Sequence, residues 1–551
     1  FAHYSESPAD LKLFGDRAFC SGINQMILHS YVHQPCEKKP GITLGQHGSH
    51  FNRHYPAWQH AQSWLEYLSR VQYILQKGVI SSEVLYFLGD QYPQFFENNA
   101  ISSLPNNYQT IPCNYDVLTK LSVRNNKLQF AKNQRFSILV LPDRPVLEYQ
   151  TLKEVARLIK QGALVYGVKP LQMFSLKNKK EKTAAFKQLA DEIWKGYTEE
   201  ANGQNNYGSG VVIWGKPLDK VVEDYKIMPD FTSNCPDSLN LMYIHKNTAG
   251  QDVFYVVNQK DSVYHRECVF KVPAGRIPTL WNPMTGEVKK VMVYTKEAGS
   301  IRIPVTFMPE QSLFFIFTKD QEDSHICKIE TGEDVLFPSG DVTKVIDFPR
   351  VCSDSNGNVS CVASEEDDYK LTNSRGDLLD IKSNVPDTLL LDNICGKIIL
   401  YPINSDQTDT LAINKFKSFT DWEIPAVKYF SGTAVYEIDF SLPKEWANSK
   451  EPVALAFADF DATAELILNG HSLGTIWSFE NRFPVGQWLK ETNHLTVTIG
   501  TTVRNRIIGD YNEHGNFYNV WTSGPVKRFL NKNSVLKPSG IIDPVMLIKN
   551  W

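Results

Sequence analysis

The chain has 551 residues, 42% hydrophobic and 21% charged, apolar enough to fill the cores of about three to five domains. Its 61 acids nearly balance its 57 bases, leaving a net charge of −4, which gives no electrostatic reason to expect a nucleic-acid or anionic-membrane partner. No run of about 18 apolar residues offers a membrane span, and no secretory leader is visible.

In chain order, residues 8–21 read as a helix. The apolar runs Gln25-Met26-Ile27-Leu28 and Ile42-Thr43-Leu44 follow as two short buried strands, each ending in polar groups. Seven of the 13 histidines fall within the first 60 residues, many at those strand ends. Strands with polar C-terminal tips are what the active face of a (β/α) barrel presents. Pro56 opens a long helix in which Ala57, Ala61, Trp64, Leu68, Val71 and Leu75 repeat at helical spacing, with Gly78 at its end. Only about two strand–helix units are present, where a closed barrel has eight. The opening Phe1-Ala2-His3-Tyr4 reads as a cut from something longer.

From Glu83 the pattern changes. Val84–Leu88, Ile138–Leu141, Leu164–Gly167 and Val211–Trp214 are near-continuous apolar strands alternating with helices, which predicts a parallel sheet. From about 240 to 319 the strands are short and separated by turns, a β-sandwich. Residues 321–390 are polar and Asp/Ser-rich and read as a linker with irregular β structure. Alternating strands return from 391 onward as a second sandwich, with Asn469-Gly470 as a hairpin turn. Cys352 and Cys361 bracket a turn-like stretch and suggest a local disulfide; the other seven of the nine cysteines read as buried thiols.

Several segments, taken together and in order, resemble glycoside hydrolase family 106, the α-L-rhamnosidase type. They are GDRAFCSGINQMILHSYVHQP, PGITLGQHGSHFNR, CNYDVLTKLSVRNNKLQF before SILVLPD, LWNPMTGEV, and DWEIPAVKYFSGTAVYEIDFSLP before ELILNGHSLGTIW and VRNRIIGD. The resemblance implies a multidomain α/β plus all-β chain: the C-terminal part of a (β/α)8 catalytic barrel (1–79), a flavodoxin-like α/β domain (80–232), a β-sandwich (233–320), the linker (321–390) and a galactose-binding-like jelly roll (391–551). It also implies that the remaining barrel strands and the general acid lie upstream of Phe1, in a missing N-terminal half of the same protein. The implied activity is removal of terminal rhamnose from a polysaccharide or glycoside, with inversion, in the periplasm or outside the cell. A Ca²⁺ at the sugar hydroxyls is implied as well; the chain lacks GxGxxG and P-loop motifs, so no nucleotide or organic cofactor is expected.

Glycoside hydrolysis uses two carboxyl groups flanking the scissile bond. Glu6 follows Tyr4 and Ser5 near a presumed strand end and is the candidate catalytic carboxyl of this segment. Glu37 reads as loop surface, Glu66 as a solvated helix position, and Asp16 as an ion-pair partner of Arg17. His29, Tyr31, His33, Gln34, Gln46, His47, Asn52 and Trp58 would line the sugar site, since neutral imidazole and amide groups match vicinal hydroxyls without adding charge. Each has a structural alternative as a satisfied wall residue; His50 and His54 read as loop surface. The His29-x-x-x-His33 spacing is a weak zinc pattern, so the metal ligands stay unassigned. Trp477 reads as core, and Asn505-Arg506…Gly509-Asp510 as a segment that ties its domain to neighbours. Relatives can carry a carboxylate where this chain has Ser30, which leaves a second reading open: a non-catalytic carbohydrate-binding scaffold. A β-galactosidase-like hydrolase is a third.

Overall fold

The computed structural model describes residues 4–44, 48–94, 103–131, 134–173, 179–199, 201–233, 241–319, 324–339, 346–353, 357–461, 463–478, 482–518, 520–523 and 530–551. The chain is rich in strands with few helices, gathered around several separate cores.

The N-terminal segment departs from the expected pair of barrel strands. Helix Pro8–Cys20 forms as expected, started by Pro8 and by a capping box between Ser7 and Asp10. Residues 25–28, however, form no strand, and Ile27 is 90% exposed. A strand needs neighbours to take its backbone hydrogen bonds, and none of the described residues supplies a ladder there. The second expected strand, Ile42-Thr43-Leu44, does not form either; just ahead of it Pro40–Gly41 pairs in parallel with Trp521–Thr522. The long helix starts as a 3₁₀ turn at Pro56–Trp58 and runs as α-helix over Gln62–Leu75, with Trp64, Tyr67, Leu68, Val71 and Leu75 on its buried face.

A buried polar cluster locks the two helices to the adjoining sheet. The Lys12 ammonium lies 2.7 Å from Asp16 Oδ2 and also donates to the Glu310 carbonyl and the Ser312 hydroxyl. The Tyr255 hydroxyl donates to Asp16 Oδ1 at 2.8 Å, and the Tyr67 hydroxyl donates to the same oxygen. The partner of Asp16 is therefore Lys12, one helical turn away, and Arg17 reaches Gln259 instead.

Residues 84–214 build a six-stranded sheet in the order Gly203–Tyr207, Gly210–Trp214, Leu164–Tyr166, Ile138–Val140, Val84–Phe87, Thr110–Cys113. It is parallel except for its Gly203–Tyr207 edge, which runs antiparallel. Helix Tyr149–Lys160 covers it with Leu152, Val155 and Ile159. Two antiparallel sheets follow over 231–318, with Phe254, Phe270, Phe307, Phe315 and Phe317 packed between them. Val79–Ile80 adds an edge strand to the first of these by pairing with Lys246–Asn247.

In the segment expected to be a linker with irregular β structure, the described residues form regular sheets. Asp334–Phe337, Ile326–Thr331, Asp368–Asn373 and Leu378–Lys382 form a four-stranded antiparallel sheet, and Arg350–Ser353 pairs with Val359–Val362. Ile329, Phe337, Cys361 and Leu371 are its core. Cys352 and Cys361 are free thiols. Val351 lies opposite Cys361 and Cys352 opposite Ser360, so the two sulfurs leave opposite faces of the hairpin. The C-terminal region forms two antiparallel sheets, of four and six strands, sharing one core that includes Tyr436, Leu455, Leu466, Val497 and Leu547. Asn469 and Gly470, both at positive φ, make the expected hairpin turn. Trp477 is 2% exposed and packs 5.3 Å from the ring of Tyr67, so it is core as read.

In the middle sandwich His245 is buried between two carboxylates. Its Nδ1 lies 3.0 Å from Asp230 and its Nε2 3.3 Å from Asp252, while Arg276 meets Asp252 at 3.2 Å. Burial draws the imidazole pKa down, but the two carboxylates outweigh it and leave it raised; Asp230, in spite of its own burial, is held low by His245. The imidazolium therefore supports the fold fully below about pH 6.5, and that support fades as pH climbs through the raised value. The contribution of Asp230 is lost only as pH falls through its lowered value. His245→Gln is expected to reduce the melting temperature at pH 6 and to flatten its decline between pH 6 and 9. A variant that melts with the parent's pH profile would dismiss this account.

Candidate active site

Over residues 29–34 His29, Tyr31 and His33 are exposed, while Ser30 and Gln34 are buried. Three of the predicted sugar-lining groups thus form an outer row open to solvent. The segment is held from behind by residues 48–51: the Ser30 amide donates to the Ser49 carbonyl at 2.7 Å and the Phe51 amide to the Ser30 carbonyl at 3.1 Å. Gly48 lies so close to His29 that a Cβ there would stand 2.2 Å from the His29 carbonyl oxygen, which is why a glycine is needed.

The other predicted residues are used differently. The amide of Gln34 exchanges hydrogen bonds with both backbone groups of Ile42, which zips the two segments together. Asn52 is buried, and its Oδ1 accepts from the His54 amide at 2.8 Å, closing a turn. Trp58 packs against Phe51 and Trp64 at ring distances of 5.1 and 6.4 Å. Gln46 and His47 lie outside the described residues. His50 and His54, expected on the surface, are buried: His50 lies 4.4 Å from the Tyr4 ring, and His54 Nε2 lies 2.9 Å from the Cys36 carbonyl oxygen.

Glu6 sits apart from the outer row, with no contact joining them among the described residues. It is 8% exposed, and its Oε1 has no hydrogen-bond partner among the described residues. The Tyr55 hydroxyl fixes its backbone by donating to the Glu6 carbonyl at 2.7 Å. Burial dominates its titration and, with Asp10 nearby, raises the pKa to about 7 against the opposing pull of Lys537. A carboxyl poised at that value can take up and return a proton near neutrality. Two residues before it in the chain, the Tyr4 hydroxyl lies 2.8 Å from that of Thr522; burial pushes the Tyr4 phenol well up. Tyr4, His50 and Tyr55 were not legible as site residues, because only the approach of residues 503–523 places them. Among the described residues no group of three or more His, Cys, Asp or Glu stands close enough to hold a metal. The residues in hand do not make up the implied Ca²⁺ site.

Residues 1–296 match the model of the family described as alpha-L-rhamnosidase, glycoside hydrolase family 106, and the chain belongs to that family. It is 30% identical over 316 residues, 57% of its length, to a protein of Formosa agariphila provisionally named a beta-glucuronidase. It has the fold of a rhamnosidase from Novosphingobium sp. PP1Y, at a TM-score of 0.75 and 24% identity over 99% of the chain. The chain spans 26% of the Formosa protein and 46% of the Novosphingobium one.

Proposed function

We propose that this chain is the C-terminal portion of an inverting α-L-rhamnosidase that removes terminal rhamnose from a polysaccharide or glycoside in the periplasm or outside the cell. The observation that carries the reading is the family match over residues 1–296. In this proposal residues 1–79 are the C-terminal part of a catalytic (β/α)8 unit whose strands, and whose general acid, belong to chain upstream of Phe1. The regions that follow are a flavodoxin-like unit, a sandwich, and a jelly roll of the galactose-binding kind. Glu6 is the general base, its buried Oε1 free of partners among the described residues and titrating near neutrality. The exposed His29, Tyr31 and His33 meet the sugar hydroxyls. Any Ca²⁺ takes its oxygen ligands from the upstream part, and no step here is assigned to it. The beta-glucuronidase name of the Formosa relative gives a second reading for the same site. Ser30, standing where relatives can carry a carboxylate, favours the scaffold alternative.

The test compares the 551-residue chain with the same chain extended by whatever its gene encodes ahead of Phe1. The short form is expected to hydrolyse no aryl glycoside. The extended form is expected to cleave aryl α-L-rhamnoside at least tenfold faster than aryl β-D-glucuronide or β-D-galactoside. Preference for the glucuronide moves the assignment to the second reading. An extended form inert on all three leaves the scaffold.

A further inference from the structure

A cleft of about 390 Å³ opens between residues 37–59 and the end of the six-stranded sheet of the C-terminal region. That volume lies in the range of small-molecule sites, about 300–1,000 Å³. One wall carries Arg53 and Glu37, joined by a two-pronged ion pair at 2.8 and 2.9 Å and both open to solvent. The other carries Tyr401, 45% exposed at the end of strand Ile394–Pro402. Gln59 and Thr433 meet across the cleft at 3.4 Å.

The chemistry of this lining is selective. Its ionisable groups balance, Lys39 and Arg53 against Glu37 and Asp406. A nucleotide, a uronate or an acidic peptide would therefore gain no net attraction. What the cleft offers instead is a guanidinium–carboxylate pair and amides that donate and accept side by side, as vicinal hydroxyls require, together with a phenol ring for a C–H face. The cleft is also not the place where Glu6 reacts. The turn that forms its inner wall, His54 to Pro56, turns Tyr55 the other way, into an apolar layer with Tyr4, Ala57 and Ile403. On its far side the Tyr55 hydroxyl donates to the Glu6 carbonyl.

We infer that this cleft is a second carbohydrate-binding site, taking a neutral hexose or deoxyhexose unit of a glycan and holding the chain of a polymeric substrate beside the reacting end. The inference rests on the carbohydrate reading above, but it is tested by binding rather than turnover. Saturation-transfer NMR and titration calorimetry on the 551-residue chain would use L-rhamnose, D-galactose and D-galacturonate as probes, with neutral galactan in affinity electrophoresis. The expected result is binding of a neutral sugar and retardation by galactan, with affinity lowered at least about tenfold by Tyr401→Ala combined with Gln59→Ala, the loss of a ring contact and a hydrogen-bonding amide. Both positions are at the surface, and the variant should melt with the parent. Two outcomes overturn the site: no binding of any neutral probe, or equal binding by parent and double variant. Preference for galacturonate overturns its neutral character. Hydrolysis by the extended protein without neutral-sugar binding defeats the cleft and spares the enzyme reading; binding without hydrolysis does the reverse.

Discussion

Replacing Glu6 by Gln in the extended, hydrolytically active protein is expected to lower kcat by about 10²–10⁴-fold, the range for a lost general base, with KM held within a few-fold. The wild-type rate should rise with pH through about 7 as the carboxyl ionises, and the variant should lack that limb. The sign follows from the role: a base acts only when deprotonated, so a rate falling above pH 7 would make Glu6 an acid. Loss of fold is separable from loss of chemistry here. The folded pKa of Glu6 is raised, so the folded state holds the proton more tightly than the unfolded one, and ionisation weakens the fold as pH rises from about 4.5 to 7. Gln removes that penalty and should leave the melting temperature at pH 7 equal or higher. A variant within threefold of wild type in kcat would remove Glu6 from the mechanism.

The second large effect is on stability. Asp16→Ala strips the only carboxylate that meets Lys12 among the described residues, leaving an ammonium that is 3% exposed. Two buried phenols, Tyr67 and Tyr255, lose their carboxylate acceptor at the same stroke and are left with each other and the Ser312 hydroxyl. Removing one partner of a buried pair costs about 3–5 kcal/mol. That corresponds to a drop of roughly 6–20 °C in the thermal transition of the unit it holds. Lys12→Met combined with Asp16→Leu should recover much of the loss, because no isolated charge remains. A single-variant shift below about 1 kcal/mol in denaturant unfolding would show that the cluster is open to water.

How much of this was legible depended on how local the determinant was. The strands at 84–87, 138–140 and 164–166 announced themselves, because a strand covered on both faces must be apolar at every position. The run at 25–28 looked the same over four residues and is not a strand, since a four-residue run does not say whether neighbours exist. The regular sheets of 326–382, where irregular β structure was expected, are hard to read for another reason: strands such as Asp368–Asn373 bury only two side chains, Tyr369 and Leu371, among polar neighbours. Within the site, His29, Tyr31 and His33 stand out in the sequence as polar groups after an apolar run; the structure exposes all three but forms no strand before them. The condition of Glu6 could not be read. Its pKa is raised by burial and drawn back in part by the charge of Lys537, some 530 positions further along.

The pairing of Pro40–Gly41 with Trp521–Thr522 belongs to a wider set of links. The Val503 amide donates to the Tyr4 carbonyl, Lys537 meets Asp10 at 2.9 Å, and the Thr463 hydroxyl donates to the Ala57 carbonyl. Lys12 and Val79–Ile80 bind the same N-terminal segment to the middle sandwich. Topologically the molecule is a bracelet with its clasp beside Glu6, rather than beads on a string. Nicking the exposed turn at Arg375 would leave two polypeptides that still travel as one particle, and prising the clasp apart would dismantle the neighbourhood of the carboxyl before any core had melted.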